Sequence, residues 1–151
     1  MKHLKMYEWF GNQHPDYGWK NITTEGNRMC VYVYDLANEM EKTVAHSDKY
    51  AVKAKEDEYF ALVKKLLIGK VISFTCTDCD DGKHTGVCDD VEFDGCGYPG
   101  GPDVPVDVFD LGYIRLRLEG MDEAHAIDDD KIIVHLDIDP EIYRSAEKYN
   151  V

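Results

Sequence analysis

The sequence predicts an α+β fold built on a mostly antiparallel sheet. Residues 113–119 and 131–139 alternate apolar and polar side chains, which is typical of half-buried antiparallel strands. Residues 56–68 repeat apolar side chains at intervals of three and four, which predicts an amphipathic helix. The chain has 151 residues, 44% of them hydrophobic, which is enough for one core. We therefore expect residues 1–151 to form a single domain.

The N-terminal half is predicted to contain strands and the main helix. Residues 4–10 alternate roughly and favour an extended segment, and residues 28–36 are rich in β-branched and aromatic side chains, which predicts a strand. Residues 37–46 leave helical and extended structure both open. The main helix, residues 56–68, has acids near its start and lysines near its end, as the helix dipole favours, and Gly69 is its expected C-cap.

The middle of the chain is predicted to be less regular. A strand over residues 70–75 is followed by an irregular segment, residues 76–103, which is rich in Cys, Gly and Asp. This segment holds four of the five cysteines and six of the twelve glycines, with almost no run of apolar residues. Residues 104–110 are expected to be extended at a sheet edge, because Pro105 lacks a backbone donor.

The two alternating segments are predicted to lie side by side as neighbouring strands. An acidic loop, residues 121–130, joins them, which favours an antiparallel arrangement. Asp139 and Pro140 are residue types preferred at the N-cap and first position of a helix, so residues 141–149 are expected to form a short last helix.

Negative charge is concentrated in one part of the chain. Residues 78–139 contain 18 of the 30 acidic residues and only four basic ones, a formal charge of −14, whereas the whole chain carries −13. A surface of one sign sets long-range attraction and repulsion. We expect this part to repel nucleic acid and anionic membranes and to attract basic proteins or cations.

The charge pattern favours a non-catalytic acidic inhibitor that binds a basic nucleic-acid-binding surface of another protein. Such a nucleic-acid mimic is similar to phage-type, anti-CRISPR-like viral inhibitors, and its partner would be a nuclease or a CRISPR effector. Carboxylates two residues apart on a strand are separated by about 6.6 Å, the same order as neighbouring phosphates. The acids expected to contact the partner are Asp80, Asp81, Asp89, Asp90, Glu92, Asp94, Asp122, Glu123, Asp128, Asp129, Asp130, Asp137 and Asp139.

The cysteine cluster indicates a structural zinc site. Two cysteines separated by two residues at the end of a strand suit zinc, which takes four thiolate or imidazole ligands. Free thiols in a polar loop and a disulfide are the alternatives. The candidate ligands, from which four would be drawn, are Cys76, Cys79, His84, Cys88 and Cys96.

The first four of these candidates resemble a CCHC zinc knuckle. The last spacing is three residues instead of the four found in that family. Asp78, Asp80 and Asp81 also stand between the ligands, where nucleic-acid-binding knuckles carry basic and aromatic residues. The resemblance therefore implies zinc binding without direct nucleic-acid binding.

Two alternative functions stay open. The chain could be a small scaffold or interaction module, stapled by a structural zinc, whose acids serve solubility alone. It could also be a metal-dependent enzyme that uses His135, Asp137 and Asp139, three residues at two-residue spacing along a predicted strand. The plainer interpretation of that row is charge pairing with Arg115 and Arg117 across neighbouring strands. No nucleophile or phosphate-loop motif supports an enzyme.

The sequence favours a cytoplasmic protein, or one in the host cytoplasm if it is viral. The N-terminus lacks an apolar signal segment, and no apolar run is long enough to span a bilayer. In a reducing compartment, clustered cysteines bind metal more often than they form disulfides. Cys30, within an apolar strand, is expected to be buried.

Overall fold

The computed structural model describes residues 19–45, 47–76, 82–95, 109 and 111–149. This part of the chain forms an antiparallel seven-stranded sheet with three helices, so the predicted α+β class is confirmed. The strands are β1 (Ile22–Glu25), β2 (Arg28–Tyr32), β3 (Val71–Thr75), β4 (Lys83–Asp94), β5 (Tyr113–Leu118), β6 (His125–Ala126) and β7 (Lys131–His135). The helices are α1 (Val33–Glu41), α2 (Lys49–Leu67) and α3 (Pro140–Tyr149). The strand order across the sheet is β1-β2-β7-β3-β4-β5-β6.

The core lies between the sheet and the apolar sides of α1 and α2. At its centre Tyr59, on α2, is fully buried and donates a hydrogen bond from its hydroxyl to the Val33 carbonyl at 2.6 Å. This bond satisfies the one polar atom of a large side chain in an apolar setting. It also ties the middle of α2 to the first residue of α1.

The main helix is confirmed, but it begins earlier than the sequence predicted. It runs from Lys49, and the Asp48 carboxylate caps it by accepting hydrogen bonds from the N–H groups of Tyr50 and Ala51, both at 3.1 Å. Its first two turns bury only Val52, so the apolar period that identified residues 56–68 is weak there. The C-cap is Ile68 and not Gly69 as expected; Gly69 comes one residue later, with φ +83°.

The prediction of one long strand over residues 28–36 is wrong at its C-terminal end. β2 ends at Tyr32 and α1 begins at Val33, although the tract is rich in strand-forming residues. The buried residues of α1 fall at helical spacing, and they are Val33, Leu36, Ala37 and Met40. The helix extends to Glu41, so the first half of the ambiguous segment 37–46 is helical.

The predicted pairing of the two alternating segments is also wrong. β5 pairs with β4 and β6, whereas β7 pairs with β2 and β3, so two strands separate them. Both segments do alternate buried and half-buried residues as expected. Alternation identifies which face of a strand is buried, but it does not identify the neighbouring strand.

The irregular character predicted for residues 76–103 is wrong for residues 83–94. These residues form β4, which pairs with β3 along its first half and with β5 along its second half. Its register shifts between Cys88 and Asp90, as at a β-bulge, which adds a residue and bends the strand. The bulge breaks the two-residue period, so the apolar pattern in the sequence does not resemble a strand.

Several expectations concern residues outside the described part, namely the extended segment 4–10 and residues 104–108 and 110 of the extended segment 104–110.

The predicted last helix is confirmed as α3, and the Asp139 carboxylate accepts the Glu141 N–H at 2.8 Å. Within the described residues, no helix combines the length and hydropathy needed to cross a bilayer.

Candidate metal centre

Three side chains, carried by the end of β3, by β4 and by β6, converge at one end of the sheet. Cys76 directly follows β3, His84 lies near the start of β4, and His125 lies in β6. The ligand atoms, the Cys76 Sγ and one ring nitrogen of each histidine, all lie within 4.8 Å of one another. This metal-ligand cluster, Cys76–His84–His125, could hold a metal ion.

The pairing of β3 with β4 places two of the ligands on the same side. Phe74 is the register partner of His84. Because residues two apart on a strand share a face, Cys76 lies on the same side as Phe74 and His84. The ring centroids of Phe74 and His84 are 5.5 Å apart, so an aromatic side chain supports the histidine from the core.

The third ligand, His125, joins the other two because β6, at the edge of the sheet, lies near the end of β3. His125 pairs with Leu116 of β5, and two residues later Ile127 forms an isolated antiparallel bridge with Cys76. β6 therefore lies close to both β5 and the end of β3. This brings the ring centroids of His84 and His125 to 5.4 Å.

The cluster lies at the margin of the core. Cys76 is 4% exposed, whereas both histidines are half-buried. One thiolate and two imidazoles are ligand types that zinc prefers. With bonds of about 2.0–2.3 Å, tetrahedral zinc ligands lie about 3.3–3.8 Å from one another. The cluster fits this requirement with a small contraction, and zinc would need a fourth ligand.

Cys76 is disulfide-bonded, whereas Cys30 and Cys88 are free thiols. A disulfide sulfur has no thiolate charge to offer, and metal ligation by cysteine requires the thiolate. The two roles of Cys76 therefore exclude each other. The metal-binding form of the cluster is the one in which the disulfide is reduced.

Two of the five predicted zinc ligands, Cys76 and His84, belong to the cluster. Cys88 does not belong to it: at ordinary strand spacing, Cys88 lies about 13 Å beyond His84 along β4. Its buried thiol donates to the Asp90 carbonyl at 3.6 Å, and burial raises its pKa to about 12. Cys79 and Cys96 lie outside the described residues.

Sequence reasoning missed His125, because only the strand pairing places it near the other ligands. It is separated from the cysteine cluster by β5, and no local spacing connects it to that cluster. Cys30, which was expected to be buried, is a buried free thiol, as is Cys88.

The acids predicted to contact a partner have different surroundings. On β4, Asp89 forms an ion pair with Arg117 at 2.8 Å and Asp94 forms one with Arg115 at 3.2 Å. The arginines thus pair with β4, and the interpretation that they face Asp137 and Asp139 is wrong. The other two predicted β4 acids carry no such pair: the Asp90 carboxylate accepts the adjacent Val91 N–H, and Glu92 is exposed.

Asp130 organises the start of α1. Its carbonyl accepts the Val33 N–H at 3.2 Å, and its carboxylate accepts the Tyr34 N–H at 2.5 Å. These bonds satisfy donors that a helix leaves without an intrahelical partner. Burial raises the pKa of Asp130, and a hydrogen bond with Asp35 raises it further. Asp130 is therefore a capping residue more than a freely exposed charge.

The remaining predicted contact acids lie in loops and turns. Asp137 is an exposed turn residue, Asp139 caps α3, and Asp129 accepts the Lys131 N–H at 3.2 Å. Asp122, Glu123, Asp128 and Asp129 are all exposed and flank His125, and no ion pair within the described part of the chain involves them. Asp80 and Asp81 lie outside the described residues.

The predicted row of His135, Asp137 and Asp139 is wrong as a strand face. β7 ends at His135, and the two aspartates follow it in a turn and at the α3 cap. The His135 Nε2 lies 2.7 Å from the Ser73 Oγ, which lies 2.7 Å from the Thr85 Oγ1. Among the described residues, these three do not form a converging group of metal ligands.

No protein-family model, curated protein or solved structure matches this chain significantly.

Proposed function

We propose that this chain is a small non-catalytic binding module whose sheet is closed at one end by a structural zinc ion. The observation that carries the proposal is the convergence of Cys76, His84 and His125 within 4.8 Å. Zinc would need a fourth ligand besides these three. The two-residue spacing from Cys76 makes Cys79 the candidate that the sequence offers.

The position of the cluster favours a structural over a catalytic ion. Its ligands come from the end of β3, from β4 and from β6, so one ion would join the neighbouring strands β3 and β4 to β6, which follows β4 only after β5. β6 has two residues and lies at the edge of the sheet, where few backbone bonds hold it. Zinc supplies a cross-link here without redox chemistry of its own.

Zinc content and thermal stability test this proposal. We expect reduced protein to bind about one zinc ion per chain. Free zinc at about 100 times its dissociation constant stabilises the folded state by about 2.7 kcal/mol. For a chain of this size that corresponds to a rise in Tm of roughly 5–10 °C. Metal analysis and melting curves of chelated and zinc-loaded protein measure both quantities under a reductant.

Two variants separate the observed ligands from the predicted ones. His125→Asn should abolish zinc binding and the rise in Tm, because it removes a ligand from β6. Cys88→Ala is the matched control, since Cys88 was predicted to be a ligand but lies away from the cluster; it should keep the zinc. Loss of zinc in Cys88→Ala together with full binding in His125→Asn would contradict the proposal.

A second proposal is that the exposed acids beside the cluster bind a basic nucleic-acid-binding surface of another protein, as a nucleic-acid mimic would. Its support is the set of exposed carboxylates that flank His125 and have no ion pair in the described part of the chain. Asp89, Asp94 and Asp130 contribute less, because intramolecular contacts already engage them. Such binding would be fast and salt-sensitive.

The partner proposal is tested by charge reversal at constant net charge. The test variant carries Asp122→Lys, Glu123→Lys and Asp128→Lys. The control variant carries three reversals on other elements, and they are Glu25→Lys, Glu41→Lys and Glu58→Lys. Each protein is used to capture proteins from bacterial lysate, with and without an added CRISPR nuclease, and elution follows a salt gradient.

We expect the unaltered chain and the control to retain a nucleic-acid-binding protein that DNA or RNA displaces. The test variant should bind it at least about tenfold more weakly, since about 1.4 kcal/mol corresponds to that factor. Equal loss in both variants would indicate a nonspecific effect of net charge. If only non-basic proteins are retained, the mimic function is contradicted, and the proposed binding module with a structural zinc ion is unaffected.

A further inference from the structure

The metal-ligand cluster contains a sulfur with two incompatible roles, and this suggests how the cluster is regulated. Cys76 is disulfide-bonded, yet its Sγ lies within 4.8 Å of ring nitrogens of His84 and His125. The same arrangement of strands therefore serves a metal-binding state and an oxidised state.

We propose that oxidation of Cys76 to its disulfide expels the zinc ion, and that reduction restores the site. This inference rests on the zinc site proposed above and adds its regulation. In the reduced state the Cys76 thiolate and the two imidazoles hold the ion. In the oxidised state the thiolate charge is gone, and two imidazoles remain from the three described ligands.

The exchange balances with a low-molecular-weight disulfide as the oxidant. The thiolate of the partner cysteine attacks that disulfide, forms a mixed disulfide, and releases one small thiolate. The Cys76 thiolate then attacks the partner sulfur and releases the second small thiolate, which closes the protein disulfide. Two protein sulfurs are oxidised and the small disulfide is reduced to two thiols, while the zinc ion leaves unchanged in oxidation state.

Burial of Cys76 favours this order of steps. At 4% exposure its sulfur is poorly accessible to a bulky oxidant. An intramolecular attack by Cys76 in the second step needs no such access. The other two described cysteines, Cys30 and Cys88, are buried free thiols, and burial raises the pKa of Cys88, so Cys88 is a poor thiolate competitor.

Loss of the ion has a local structural consequence. His125 is one of the two residues of β6. The described contacts that hold this edge include its pairing with β5, the bridge between Ile127 and Cys76, and a hydrogen bond from the Asp128 N–H to the Thr75 carbonyl at 2.8 Å. Without the ion, the link from β6 to His84 is lost. The segment 121–130, which carries exposed acids on both sides of His125, should then open more often.

The test follows zinc and thiols together in the full chain. Zinc-loaded reduced protein is treated with oxidised glutathione in the presence of a zinc indicator, while free thiols are counted and disulfide-linked peptides are identified by mass spectrometry. We expect release of about one zinc ion for each two thiols lost. Cys76 should appear in the disulfide, and a thiol reductant should restore zinc binding. Amide hydrogen exchange over residues 121–130 should speed up in the oxidised protein.

The control is the double variant Cys30→Ala/Cys88→Ala, which removes both buried free thiols and should release zinc as the unaltered chain does. Zinc that stays bound while the Cys76 disulfide forms would overturn the exchange and leave the structural zinc intact. Zinc released while Cys76 stays reduced would overturn it as well. Reduced protein that binds no zinc at all would instead contradict the zinc site itself, and the exchange with it.

Discussion

At the scale of single residues, His135 couples the stability of the sheet to pH. Its Nε2 lies 2.7 Å from the Ser73 Oγ, and burial lowers the pKa of its ring. Arg28 and Lys83 lower this pKa further, whereas Asp137 opposes them. The folded-state pKa is thus below the 6.5 of an unperturbed histidine. The unfolded chain binds the proton more readily, so the free energy of unfolding should fall as the pH drops through 6.5.

The variant His135→Gln tests this dependence by urea unfolding at about pH 7.5 and about pH 5.5, on either side of the ordinary histidine pKa. At the higher pH we expect the variant to be less stable by about 1 kcal/mol, because it disturbs a buried hydrogen bond. At the lower pH the difference in stability should shrink, because the lowered pKa of His135 destabilises only the unaltered chain there. A difference independent of pH would contradict a lowered pKa. A chelator is present throughout, so metal binding does not contribute to the difference between the two proteins.

Residues also show where sequence reasoning about the site succeeded and failed. Cys76 and His84 could be found because their spacing follows a known ligand pattern and they lie only eight residues apart in the sequence. His125 could not, because its place in the cluster depends on the pairing of β6 with β5 and on the bridge at Ile127. A ligand supplied through tertiary pairing leaves no local signal in one sequence.

At the scale of elements, the predictions succeeded where apolar residues show a clear period in the sequence. They failed where contacts between distant backbone segments decide the local structure. α2 was predictable from its apolar stripe. α1 was hidden by its strand-like composition, although its buried residues follow helical spacing. Asp130, almost a hundred positions away, completes its N-terminus by accepting two backbone N–H groups. That contact stabilises a helix at a point where intrinsic propensity favours a strand.

β4 failed to be predicted for a different reason. The register shift at Cys88 and Asp90 lets one strand pair first with β3 and then with β5, so its buried positions change phase. A period of two, searched along the whole segment, does not detect a strand that bends at a bulge. β4 also carries His84, so this poorly predicted element supplies one of the three residues of the metal-ligand cluster.

At the scale of the whole molecule, the charge pattern is partly internal. The four acids that β4 contributes lie beside Arg115 and Arg117, and further acids cap α1 and α3. These contacts show why an acid count alone does not locate a binding surface. Asp122, Glu123 and Asp128, around His125, are among the exposed acids that no ion pair of the described residues engages. Their mutual repulsion, with that of the rest of the chain, acts against the compact state.

This repulsion predicts that salt stabilises the protein. With 30 acidic and 17 basic residues, repulsive pairs outnumber attractive ones. Raising sodium chloride from about 0.01 M to about 0.15 M shortens the Debye length from about 30 Å to about 8 Å. We expect the Tm of zinc-loaded protein to rise by about 2–4 °C, which corresponds to about 1 kcal/mol at this size. The variant Asp122→Asn/Glu123→Gln/Asp128→Asn should respond less, because part of the repulsion is removed in advance. A Tm that falls with salt would mean that ion pairs such as Arg117–Asp89 outweigh the repulsion, and that the acidic excess costs the fold nothing.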